Sequence, residues 1–203
     1  INTDEYDNIK SVVNDYLKEG IAHTLDETRN LSDSGQFEDI SLQQGIRQIL
    51  YPYEEMEVLN PEWEVILKDI IDSLFEQMSD EEYNILNEEF GTYMVSRAYE
   101  YRQLLEYLVF RYFAKSIYDY DFLGKCQMLV TNFFVIRQMD IIRWLDNHRE
   151  YSFKDRMDVV HIFSRQVEYS EDNIENLYED FIFDDIFKTD SLIAILWIDS
   201  ENI

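Results

Sequence analysis

FLGKCQMLVTNFFVIRQMDIIRWL, residues Phe122 to Leu145, decides the fold class. Its apolar residues fall at the spacings of three and four that mark a helix, and no proline interrupts it. The most apolar run, Leu129 to Ile136, is broken by Thr131 and Asn132 and is far shorter than the roughly 20 residues a membrane span needs. The segment therefore predicts a long helix inside a soluble domain. The whole chain agrees, because 203 residues contain only five Gly and two Pro, whereas an all-β chain needs a turn about every eight to twelve residues. An apolar fraction of 46% supplies a real core. The expected fold is all-α, an irregular antiparallel bundle of about seven to nine helices in one domain, with a weak sub-boundary near residues 60–91.

Outward from that helix the same period recurs. Tyr6, Ile9, Val12, Val13, Tyr16, Leu17 and Ile21 predict an N-terminal helix, followed by a turn at Ser32-Asp33-Ser34-Gly35. Phe37, Ile40, Ile46, Ile49 and Leu50 predict a second, ending before Pro52 because the residue preceding proline is pushed out of the helical region. Asn60-Pro61 is a start signal, and Trp63, Ile66, Leu67, Ile70, Ile71, Leu74, Phe75 and Met78 form one buried stripe. Ser79 to Glu82 is a capping box, with Gly91 closing that helix. A long helix is expected from Thr92 to Tyr118 with Tyr99, Leu104, Leu105, Leu108, Phe110 and Phe113 inside, then a turn at Asp119-Tyr120-Asp121. Ser152 with Asp155, and Ser170 with Asn173, cap two more helices.

Charge narrows the function. The formal net charge is −26, which argues against a phosphate-binding surface and so against nucleic acid, and favours cationic protein partners. The distribution is uneven: residues 1–100 hold 6 basic and 24 acidic side chains, residues 101–165 hold 10 and 8, and residues 166–203 hold 1 and 11. Two acidic flanks enclose an Arg-rich middle. The single cysteine, Cys126, rules out an intrachain disulfide and points to a reducing compartment. INTDEYDN at the N-terminus has neither the basic start nor the apolar stretch of a secretory signal, and a chain beginning with Ile1 reads as a fragment or a processed product.

The middle also holds the candidate chemistry. Arg137 lies on the apolar face with Phe133, Phe134 and Ile141, and Asp140 three residues on is placed to pair with it. A buried charge requires a partner, so a structural ion pair is the plain alternative to a catalytic role. On the next helix Phe153, Met157, Val160, Phe163 and Val167 predict the buried arc, with Ser164 in its middle and His161 and Glu168 at its edge. His161, Ser164, Arg165 and Glu168 thus gather polar groups beside a core, or else Ser164 bonds a carbonyl four residues back and His161 is a boundary residue. No GxGxxG, P-loop, HExxH or GxSxG occurs. His23, His148 and His161 lack metal-ligand spacing, so no metal site is expected from this chain.

LLEYLVFRYFAKSIYDYDFLGKCQMLVTNFFVIRQMDIIRWLDN followed by YSFKDRMDVVHIFSRQVEYSEDNIENL resembles the C-terminal region of bacterial flagellin lysine-N-methylases, the FliB-like family. Phe110-Arg111-Tyr112, the turn Asp119-Tyr120-Asp121, the Arg137/Asp140 pair and HIFSRQVEYSEDN carry the likeness, which covers about residues 60–180. The resemblance implies methyl transfer from S-adenosylmethionine to lysine side chains of flagellin, in the cytoplasm before export. It implies an iron–sulfur cluster only in an N-terminal cysteine-rich part, which this chain with its one cysteine lacks, so the chain reads as the C-terminal part of a longer methylase-like protein. Arg111 is the candidate contact to the cofactor; Arg137, Asp140, His161, Ser164, Arg165 and Glu168 are the catalytic candidates.

Lysine chemistry adds a condition. The amine must shed its proton before attacking a methyl sulfonium, yet nearby carboxylates hold the proton on. The acidic flanks are therefore expected to attract the substrate, while Arg137, Arg165 and Arg111 favour the neutral amine. The alternative is a non-catalytic acidic helical module that binds a basic protein.

Overall fold

The computed structural model describes residues 40–113 and 115–201. The helix expected over Tyr6 to Ile21, the turn at Ser32 to Gly35, Phe37 and His23 lie outside the described residues. The fold is all-α. Nine helical segments and no strand occur among the described residues: α1 Leu42–Glu54, α2 Pro61–Ile70, α3 Asp80–Met94, α4 Ala98–Phe113, the single turn α5 Ser116–Asp119, α6 Phe122–Asp146, α7 Phe153–Phe163, α8 Glu171–Phe183 and α9 Thr189–Glu201. Two helices run on into wider π-turns, α2 through Ile71–Glu76 and α7 through Ser164–Glu168. One continuous core joins Leu42 to Ile195 and spans both Asn60 and Gly91.

The starts are local chemistry. Asn60 accepts from the Glu62 amide at 3.2 Å with Pro61 at the first helical position. Ser79 and Glu82 form a reciprocal capping box, as do Ser152 and Asp155. Ser170 accepts from the Asn173 amide at 3.1 Å. Asp121 accepts from the Gly124 amide at 2.9 Å and so begins α6.

The ends differ from expectation where tertiary contacts win. Pro52 does not stop α1 but sits in its last turn. Proline there forfeits only the bond to the Gln48 carbonyl, and the turn is held because the fully buried Tyr53 donates to Asn132 Oδ1 at 2.7 Å. Gly91 does not close α3, which continues to Met94; glycine costs a helix only about 1 kcal/mol, and buried Phe90 and Met94 secure it from both sides. The expected helix from Thr92 to Tyr118 is instead broken by a tight turn at Val95–Arg97. That turn delivers Arg97, which donates to Glu100 and to the Tyr151 carbonyl. On α4, Leu104 and Leu108 are buried, but Tyr99 and Phe110 face solvent.

Helix α6 is the axis. It packs against α1, α2, α4, α7, α8 and α9. Where it is enclosed, its polar side chains need partners, and they find them on several neighbouring elements. Gln127 donates to the Phe187 carbonyl at 2.8 Å, beyond α8. Asn132 lies between Tyr53 of α1 and Tyr112 of α4. Arg137 donates to Asn87 of α3 at 2.9 Å, and Gln138 accepts from Tyr83 of α3 at 2.9 Å. Asp140 accepts from Tyr101 of α4 at 2.7 Å, from Tyr151, and from Arg156 of α7. At the other side Gly45 of α1 lies so close to α9 that a Cβ there would stand 2.9 Å from Ile195.

Hydrogen bonds from Ser152 and Asn147 hold the Asp155 carboxyl below the ordinary carboxylate range, although burial acts in the opposite direction. A carboxyl depressed on folding contributes stability above its unfolded pKa and loses it as pH falls through the folded value. Thermal melts between pH 7 and pH 3 should therefore show Asp155→Asn less stable than wild type at pH 7 and the gap closing toward pH 3. A gap independent of pH would contradict this role of the capping box.

Candidate functional site

Helix α7 carries most of the sequence candidates, and its buried face is displaced from the predicted arc. Arg156, Val159, Ile162 and Phe163 point inward, whereas Phe153 and Met157 are 65% and 52% exposed. The reason is Arg156, which is drawn into the core by two buried carboxylates, Asp140 and Glu100. The rotation leaves His161 and Arg165 on the surface.

They open onto a cleft of about 620 Å³ between α2, α6 and α7. Helix α2 contributes Glu62, Val65, Ile66 and Asp69; α6 contributes Ile142, Arg143 and Asp146; α7 and its π-turn contribute Asp158, His161, Ile162 and Arg165. Each set follows the three-and-four spacing of one helix face. The floor is aliphatic and the walls carry both signs of charge. The Arg143 Nε is buried without a hydrogen-bond partner.

The π-turn sets this wall. A π-turn admits an extra residue into the helix and redirects the side chains that follow. Gln166 turns fully inward, accepts from the Leu59 amide at 2.9 Å and the Asn60 amide at 3.2 Å, and donates to the Glu57 carbonyl at 2.6 Å. It thereby fixes the loop that starts α2. Asn173 of α8 grips the same loop through the Glu57 amide at 3.0 Å and carbonyl at 3.1 Å.

Ser164, Glu168 and Arg111 come together on the opposite side of that turn. The Glu168 carboxylate, 4% exposed, accepts from Ser164 at 2.6 Å, Tyr107 at 2.9 Å and Tyr112 at 3.3 Å, with Arg111 Nε at 4.0 Å. Ser164 thus bonds a side chain and not the backbone. Burial, with Glu168 beside it, pushes the Tyr107 phenol up to about 12. This cluster ties α4 to the turn that presents Arg165.

The two remaining candidates are interior. Arg137 is 3% exposed and lies over the Phe90 ring while donating to Asn87. Asp140 is fully buried, and its ion-pair partner is Arg156, not Arg137 as the spacing suggested. Burial pushes the Asp140 carboxyl upward, against the pull of Arg156 and the Tyr151 and Tyr101 hydroxyls. Burial also disfavours the Arg156 charge, yet Asp140 holds the guanidinium above its ordinary value. The Arg156 guanidinium stacks 4.3 Å from the Tyr101 ring centroid. Arg137, Arg111 and Arg165 therefore face three different sets of neighbours.

Sequence reasoning found His161 and Arg165 but missed Glu62, Asp69, Arg143, Asp146 and Asp158. The pattern Asp158, His161, Arg165 on one helical face was available as a signal; the meeting of α2 with α6 and α7 was not. Among the described residues no group of three or more His, Cys, Asp or Glu could hold a metal ion, and no helix is long and apolar enough to cross a membrane. One thiol cannot ligate an iron–sulfur cluster of the four-cysteine type.

An all-helical domain with a charged interhelical cleft is the class these features define. The model of the FliB lysine N-methylase C-terminal domain matches residues 1–195, and the chain belongs to that family. No curated protein and no solved structure matches it.

Neighbouring residues of the π-turn should respond differently to truncation. Gln166→Ala is expected to cost about 2–4 kcal/mol in urea denaturation, because it strands several backbone groups. Arg165→Ala and His161→Ala should each stay within about 0.5 kcal/mol of wild type. Equal losses at the three positions would contradict the assignment of Gln166 as anchor and of the others as free cleft groups.

Proposed function

We propose that this domain works in a lysine N-methylase, receiving a lysine-bearing protein, flagellin in the FliB-like reading, for methylation by S-adenosylmethionine in the cytoplasm. The observation that carries the reading is the family match over residues 1–195. The charge supports it, since a net −26 surface draws cationic proteins by long-range attraction. In the transfer the neutral lysine nitrogen forms a bond to the donor methyl carbon as the carbon–sulfur bond breaks. The sulfonium leaves as a neutral thioether, and the amine proton passes to a base or to water. Arg165 and His161 are the sequence candidates that line the cleft. Ser164, Glu168 and Arg111 position the turn between them and α4, and Arg137 and Asp140 secure α6.

The test is transfer of labelled methyl from S-adenosylmethionine to flagellin by the full-length protein that carries this domain. Incorporation into lysine is expected, with substrate binding weakened at least about tenfold between low and physiological salt as screening grows. Salt-sensitive binding without methyl incorporation would overturn the reading in favour of a non-catalytic acidic docking module.

A further inference from the structure

The α2–α6–α7 cleft is bipolar. Four carboxylates, two guanidiniums and an imidazole line it, and among the described residues none of them forms an ion pair within 4.0 Å with another. Opposite charges thus share one cleft without closing on each other. Arg143 is half-buried, with its Nε sealed from water and unbonded. A buried donor left in that state costs about 1–3 kcal/mol until an acceptor arrives. A planar carboxylate is the acceptor that a guanidinium fork fits best. A phosphate would meet the four carboxylates as like charges. A protein lysine offers only a cation and brings no acceptor to the buried Arg143 Nε. A ligand carrying a carboxylate beside an ammonium satisfies both walls, and Val65, Ile66, Ile142 and Ile162 supply an aliphatic floor for its carbon chain. The volume of about 620 Å³ lies within the range of small-molecule sites.

We propose that this cleft binds an α-amino-acid zwitterion borne on a larger molecule, Arg143 and Arg165 taking its carboxylate and Asp146 and Asp158 its ammonium. Resting on the methylase reading above, that molecule is the methyl donor S-adenosylmethionine, held by its amino-acid end with the nucleoside extending out of the open cleft. The π-turn is then the device that keeps Arg165 on this wall, since Gln166 beside it is locked to the loop before α2.

Calorimetry of the 203-residue chain and of the full-length protein tests this with S-adenosylmethionine, S-adenosylhomocysteine and decarboxylated S-adenosylmethionine. The first two share the amino-acid end, and the third lacks its carboxylate. The expected result is that Arg165→Ala and Arg143→Ala each weaken the first two by roughly 10- to 100-fold. The decarboxylated compound should bind wild type weakly and lose nothing further in either variant. Arg165 is exposed, so its variant carries the test should Arg143→Ala fold poorly, with circular dichroism as the check. Absence of binding by wild type, or affinities unchanged in Arg165→Ala, would overturn the site. If methyl incorporation persists with those unchanged affinities, the methylase reading stands and the site falls. If S-adenosylhomocysteine binds through the arginines and no lysine is methylated, the site stands and the methylase reading falls.

Discussion

The structure depends on the pairing of buried polar groups along α6. A helix packed against six others gains most of its stability from apolar burial, but burial alone does not say which neighbour lies where. The polar residues of α6 do. Tyr53 of α1 and Tyr112 of α4 meet Asn132, Tyr83 and Asn87 of α3 meet Gln138 and Arg137, and Arg156 of α7 meets Asp140. Misplacing any of these helices would leave a donor or acceptor stranded in the core, so the polar set acts as an address system laid over the hydrophobic one. Asp140 is its most demanding member, because a buried carboxylate without partners is far more costly than a buried amide.

Through Arg156 that address system reaches the cleft. Drawing Arg156 inward fixes the rotation of α7, which puts Asp158, His161 and Arg165 on the cleft wall and leaves Phe153 and Met157 outside. The π-turn completes the placement from two directions, with Gln166 clamped to the loop before α2 and Glu168 clamped to α4 through Tyr107 and Tyr112. The cleft wall is thus set by bonding in the interior.

Much of the fold was legible because it is written locally. The start signals at Asn60-Pro61, Ser79, Ser152 and Ser170 all hold, as does the buried stripe from Trp63 to Met78, with Ile71, Phe75 and Met78 partly buried. Helix ends were harder, since Pro52 and Gly91 are overruled by anchors at Tyr53, Phe90 and Met94 that only the tertiary structure supplies. The face of α7 was misjudged for the same reason: periodicity counts Arg156 as polar and therefore outside, and cannot see that Asp140 and Glu100 wait for it. Half of the cleft was hidden because its carboxylates on α2, Glu62 and Asp69, are about ninety to a hundred positions from His161 and Arg165, and no local pattern links them.

The central claim, that Asp140 and Arg156 act as one unit, is tested most directly by a double-mutant cycle with Asp140→Leu and Arg156→Met in chemical denaturation. Arg156→Met strands the buried Asp140 carboxylate and should cost about 3–5 kcal/mol, whereas Asp140→Leu leaves Arg156 paired with Glu100 and should cost less. The double variant, with both charges gone, should lose much less than the sum. Losses that add to within about 0.5 kcal/mol would show the two residues to be independent and would contradict the account.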